Sequence, residues 1–338
     1  MSQAKPAGNN SIWSGLGGPG NTQRWILGAL AIGLIVYAYG ISRVCMFQVE
    51  PRSLVGWLLK FWGRGGDYAH GYLVPIVAAG VFWWKWRTAL RLIPPQSSMW
   101  GLVFVGVAML LYVAGVRAQV PRLVAGSLVV LIFGMIFYLG GWRWAKESWF
   151  PCAFLVFMIP LNFLDLYVAF PLRVLVTNLS VFLLNLCGLD VYGQGTGLYS
   201  RAGRFSPLDV ADPCSGIRSL VALLALTAVY GYLAMDRPWK KWVLFLSSLP
   251  LAVVGNLARI TTVALVAQGF GNDSAMKIYH AFSGFIVFSL AIICMLGLGA
   301  LLNLHWREIL AHWLAEEELS VPPVKSPVKP PARREQKA

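Results

Sequence analysis

Trp242–Phe270 reads WVLFLSSLPLAVVGNLARITTVALVAQGF, a long apolar run whose one ionisable side chain is Arg259. About 20 apolar residues of helix cross the hydrocarbon core of a bilayer, so the stretch reads as a membrane span carrying an arginine. Seven more apolar runs flank it: Trp25–Ile41, Tyr72–Trp84, Met99–Val116, Leu123–Gly141, Ser148–Leu161, Cys214–Met235 and His280–Leu302. None holds an Asp, Glu or Lys in its interior, and Arg218 is the second arginine inside a span. The 338 residues are 57% hydrophobic and 12% charged, against roughly 45–50% and about 25% in soluble domains. That balance excludes a soluble Rossmann or TIM-barrel enzyme and a disordered or collagen-like chain. Solid apolar blocks also exclude an outer-membrane β-barrel, whose strands alternate. The predicted fold is all-α: a polytopic integral membrane helical bundle with about eight transmembrane helices and one or two interfacial ones. Phe170–Cys187, interrupted by Arg173, Asn178 and Asn185, reads as interfacial or re-entrant. Residues 51–66, PRSLVGWLLKFWGRGG, look similar, with Trp57 and Trp62 placed at headgroup level.

The net charge of +14 invites a nucleic-acid reading. The basic residues, however, stand in short loops beside apolar runs, where membrane topology accounts for them; no nucleic-acid partner is expected. With a cytoplasmic N-terminus, Lys85/Arg87/Arg91, Arg143/Lys146 and Arg237/Lys240/Lys241 all fall inside the cell, the sharpest case being MDRPWKK at 235–241. Trp83, Trp84 and Trp86 suit an aromatic belt at that interface. Residues 1–23 read as a flexible cytoplasmic segment, 24–315 as the membrane-embedded domain, and 316–338 as a disordered Pro-rich, basic cytoplasmic tail. The expected location is the cell inner (plasma) membrane.

Three reactive groups recur at one expected membrane level. In DVADPCSGIRSL, Pro213 opens a helix, Asp212 suits its N-cap, and Cys214 falls in the first turn. The helix dipole and Arg218, four residues on, would both favour a thiolate. Arg259 sits inside a span, where an arginine costs roughly 2.5–3.5 kcal/mol and needs a use or a partner. Asn256, three residues earlier, shares its face. His280 opens the last span on the same predicted outer side. A thiolate attacks a carbonyl, an imidazole shuttles the proton and a guanidinium steadies the oxyanion. Each residue also has a plainer reading, as a small buried cysteine, a bundle-interior arginine and an interfacial histidine. A carrier that binds an anionic substrate through its arginines is the competing class. Metal binding by His280, His70 and Cys214 is a minor reading, and no metal or cofactor is expected. Cys45 and Cys187 share the outer side and leave a disulfide open, while Cys152 and Cys294 read as buried small hydrophobes.

The segments DPCSGIRSL, GNLARI and YHAFSGFIVF, in that order, resemble the exosortase/archaeosortase family of multipass membrane proteins. DYAHGYLVPIVAAGVFWW, around His70, is similar to that family's upstream His-Gly-x-Leu-x-Pro element. The resemblance implies a cysteine peptidase or transpeptidase. Its partners would be exported proteins with a C-terminal sorting signal: a short motif, a transmembrane helix and a basic cluster. It implies Cys214, Arg259 and His280 as the catalytic set, with Arg218 matching a further arginine of the cysteine motif. Pro213 and Ala69 stand where the family pattern has an Ala-like small residue and a Ser, which leaves the subfamily and the substrate motif open.

Overall fold

The computed structural model describes residues 30–45, 52–63, 68–161, 165–203, 208–209, 216–271 and 284–304. Helix α1 (Leu30–Ile41) closes in a π-helical turn from Tyr37. A two-stranded ribbon, β1 (Arg43–Cys45) and β2 (Arg52–Ser53), leads into α2 (Leu54–Trp62). The Ser53 hydroxyl caps α2 by accepting from the Gly56 N–H at 3.2 Å. Helices α3 (Leu73–Thr88), α4 (Trp100–Arg117), α5 (Pro121–Phe154) and α6 (Phe170–Leu186) follow. A small antiparallel sheet comes next, in the order β3 (Val191–Gln194), β4 (Gly197–Ser200), β5 (Leu208–Asp209). The last described helices are α7 (Gly216–Ala234), α8 (Pro238–Phe270) and α9 (Gly284–Asn303).

Among the described residues, four stretches are long and apolar enough to cross a membrane: Trp100–Arg117, Pro121–Met158, Leu166–Leu186 and Pro238–Phe270. Leu30–Ile41, Leu220–Ala234 and Phe288–Asn303 are shorter apolar helices. Large apolar side chains point outward from them; Leu110 is 72% exposed and Ile293 65%. Water would penalise that surface, whereas lipid does not. The all-α membrane bundle expected from composition is the observed architecture.

Pro121–Met158 runs 38 residues, or about 57 Å of helix, nearly twice a hydrocarbon core of about 30 Å. Gly141 resolves the excess. Its φ of 73° and ψ of −169° break the helix, in a region essentially restricted to glycine. Before the break, the Tyr138 carbonyl accepts from the Ser98 N–H at 3.0 Å. After it, Trp144 rings against Trp86 at 5.4 Å and Glu147 pairs with Lys85 at 2.8 Å. At the opposite end of α3, Trp62 meets Tyr72 and donates from Nε1 to the Met158 carbonyl at 3.0 Å. The chain therefore passes once over 121–140, turns at Gly141, and returns along α3, as the two spans Leu123–Gly141 and Ser148–Leu161 require. A Cβ on Gly141 would also collide with the Gln96 carbonyl oxygen. Gly141→Ala is expected to cost at least about 1–3 kcal/mol in unfolding experiments in detergent. Gly126→Ala, earlier in α5 with open space around it, serves as the control and stays near wild type.

The loops carrying the basic residues meet at one end of the bundle. Tyr232 stacks on Phe150 at 3.8 Å, and Lys85 and Lys241 approach its ring at 5.6 and 5.2 Å. Asn303, closing α9, donates to the Ala234 carbonyl at 3.1 Å and accepts from Lys240 at 3.4 Å. The predicted inner loops thus share a side, and the β-sheet lies at the other end.

Several expectations are corrected. The sheet was not anticipated; its strands hold four, four and two residues, too short to print an alternating pattern. Leu166–Leu186, expected to be interfacial or re-entrant, meets the length and hydropathy of a span. Yet Ala169 near its start packs with Tyr68 and Val221, and Asn185 at its end bonds the sheet, so that expectation is not overturned. Trp57 is 2% exposed and packs in the core with Leu54 and Leu58 rather than anchoring at headgroups. Cys152 is buried as expected, but Cys294 is exposed on α9. Cys187 is an exposed free thiol. The terminal segments 1–23 and 316–338 lie outside the described residues.

Candidate active site

Helix α8 positions the polar pair that the sequence singled out. Asn256 and Arg259 stand three residues apart on one face, beyond the Pro250 that interrupts the helix ladder. Asn256 is 8% exposed, and in an apolar bundle its amide is a deliberate polar feature. It faces a narrow crevice walled by Ala169, Leu172, Arg173 and Val176 on the α6 side, Leu220 of α7, and Ala252 and Val253 of α8. Arg259 is half-buried, with its Nε shielded from solvent. The next residue, Ile260, joins Val263, Ala264 and Ala267 in the cluster that seats Val191 and Leu198 of the sheet. Arg259 therefore lies at the sheet end of the bundle, just below that platform.

Arg173 escaped the sequence reading as a site residue. It was noted only as a break in the apolar run, because a segment taken as interfacial can carry a cation freely. On a helix of span length its charge needs the same explanation as that of Arg259. The structure sets it in the crevice wall with Asn256, its Nε donating to the Ala169 carbonyl at 3.4 Å. One guanidinium and one amide thus line the crevice between α6 and α8.

His70 occupies the 3₁₀ turn Ala69–Tyr72 between α2 and α3, outside the spans. Both ring nitrogens are shielded from solvent without a well-formed hydrogen bond. Burial pushes its pKa below the ordinary 6.5, and the nearby Phe157 backbone offsets only part of that. Tyr68 lies 5.6 Å from the His70 ring and accepts from the Leu161 N–H at 2.9 Å. Tyr68 is buried with Ala169 and Val221. Ala169 also walls the Asn256 crevice, and Val221 follows its Leu220 wall residue. The His70 turn, the beginning of α7 and the Asn256–Arg259 face of α8 are therefore neighbours.

The His70 shift has a sign. The unfolded chain takes up a proton near 6.5 while the folded ring resists it, so stability is lost as the pH falls below about 6.5 and is regained above it. His70→Gln is expected to flatten that loss between about pH 7 and 5, which thermal unfolding in detergent against pH would measure.

Asp212, Cys214 and His280 lie outside the described residues, and for Arg218 only the backbone, in the first turn of α7, is described. Cys214 precedes the described start of α7 by two residues and His280 that of α9 by four. Both helices pack on α8, the helix of Arg259.

Fold and site together define a polytopic helical membrane protein with a polar crevice among three helices at its sheet end. The model of the transmembrane exosortase family matches residues 62–297, about seven-tenths of the chain, and the chain belongs to that family. Its general class is thereby a membrane-embedded sorting transpeptidase. No curated protein and no solved structure matches the chain.

Proposed function

We propose that the protein is a cysteine peptidase or transpeptidase that cleaves C-terminal sorting signals of exported proteins at the outer face of the cell inner membrane. The observation that carries this reading is the family match, which runs from the end of α2 into α9 and includes Cys214, Arg259 and His280. The substrate's C-terminal helix docks laterally among the spans and brings its motif to the sheet end. The Cys214 thiolate attacks the peptide carbonyl carbon, and the electron pair displaced onto oxygen is stabilised by Arg259. The C–N bond then breaks, His280 gives its proton to the leaving amine, and an acyl thioester remains on Cys214. His280 takes a proton from an incoming amine or water, which displaces the thiolate and completes transfer or hydrolysis. Arg218 holds Cys214 ionised, Asn256 orients Arg259, Asp212 caps the helix, and His70 shapes the turn behind the crevice. The clustering of basic loops at the opposite end supports an outward-facing site, since such loops stay inside.

The test is pH-dependent alkylation of Cys214 in intact cells by a membrane-impermeant maleimide, in a variant lacking Cys45, Cys152, Cys187 and Cys294. Rapid labelling at neutral pH, slowed by Arg218→Gln, is expected for an outer-facing thiolate. Labelling only from the cytoplasm would overturn the topology. An accessible thiol of ordinary pKa, near 8.5, would favour the anion carrier instead.

A further inference from the structure

Backbone pairing in the sheet fixes which of its edges has no partner strand among the described residues. The Asn185 side chain at the end of α6 accepts from the Val191 N–H at 3.0 Å and donates to its carbonyl at 3.1 Å. That amide does what a neighbouring strand would do, and it closes the β3 edge. Val191 therefore directs its backbone groups away from β4, which makes Val191–Ser200 a non-hydrogen-bonded pair. Alternation along the hairpin then turns Tyr199 and Gly197 toward β3, and Leu198 toward β5. The two-residue Gly195–Thr196 turn, with Gly195 at φ 62°, fits the same register. Leu198 pairs with Leu208 and Gly197 with Asp209. Leu208 thus spends its backbone groups on β4, and Asp209 directs its N–H and C=O outward. No further strand lies beside β5 among the described residues.

We infer that the β5 edge receives an extended segment of the substrate polypeptide as an added strand, anchored on the backbone of Asp209. The inference rests on the cysteine transpeptidase reading and names how that enzyme holds its substrate. Asp209 precedes Cys214 by five residues, a chain reach of at most about 18 Å. The sheet is seated on the α8 residues directly after Arg259. A polypeptide extended on this edge pairs through every second residue and leaves the alternate carbonyls free for attack, and main-chain pairing supplies affinity without demanding one side-chain sequence.

The probe is the exported precursor, ending in an apolar span and a basic cluster, that accumulates when Cys214 is replaced by Ala. Single cysteines along its motif are cross-linked to Asp209→Cys in a Cys214→Ala variant lacking the other native cysteines. Cross-links on alternate substrate residues are expected. In the active enzyme, Asp209→Pro, which removes the outward N–H, should process the precursor about tenfold more slowly than Asp209→Ala, which keeps it. Equal rates for the two variants overturn the inference, as do cross-links spaced three or four residues apart or formed between two copies of the chain. If no precursor accumulates in the Cys214→Ala strain, the transpeptidase reading itself falls, a result distinct from the loss of the edge alone.

Discussion

Cys214→Ala is expected to lower precursor processing at least about a thousandfold, to the floor of an immunoblot, while the protein still inserts and unfolds at an unchanged temperature. Removal of a covalent nucleophile has that scale because the thioester route disappears and the remaining groups have nothing to act on. Cys214→Ser separates thiol chemistry from shape. A hydroxyl is far less ionised than a thiol at neutral pH, so serine should stay at least about a hundredfold below wild type although it nearly matches cysteine in size. The carrier reading predicts the reverse, since an anion pathway built on arginines tolerates either substitution. Near-normal processing by Cys214→Ala would remove the enzyme hypothesis, whatever became of the fold.

The bundle was legible in the sequence because hydropathy over some 20 residues is a strong signal in a lipid solvent. Even the sharp reversal at Gly141 showed, as a Gly140–Gly141 pair followed by Arg143 and Lys146 between apolar runs. The platform above the site did not show. Val191–Gln194 and Gly197–Ser200 are held by register, the Gly195 turn and the Asn185 side chain, and none of these is a periodic feature. Trp57 illustrates a second limit. Composition sends a tryptophan near a span end to the headgroups, but the short ribbon β1–β2 and the Ser53 cap turn α2 so that Trp57 faces the core. Asn256 and Arg259 were readable because a polar group in an apolar helix is costly. Arg173 carried the same cost and was overlooked once its segment had been assigned to the interface.

Arg259→Gln is expected to reduce processing by about 10²–10³-fold, the range found when an oxyanion donor is lost. Stability should move the other way or not at all. An arginine within a span costs roughly 2.5–3.5 kcal/mol on insertion scales, so a neutral glutamine relieves that cost. Arg259 is half-buried beside the tightly packed Ile260, and glutamine retains much of the stem that fills the space. A drop in rate with unchanged or raised unfolding temperature is the signature of a residue kept for chemistry. Arg259→Lys refines the point, because lysine preserves the charge and loses the planar fork; an intermediate rate is expected if both charge and geometry serve the oxyanion. Asn256→Ala should cost less, about tenfold, since it acts on Arg259 and not on the reacting atoms. If Arg259→Gln lost activity only in proportion to the protein that failed to fold, the arginine would be a structural residue of α8. The oxyanion would then need another donor, for which Arg173, across the crevice from Asn256, is the next to replace.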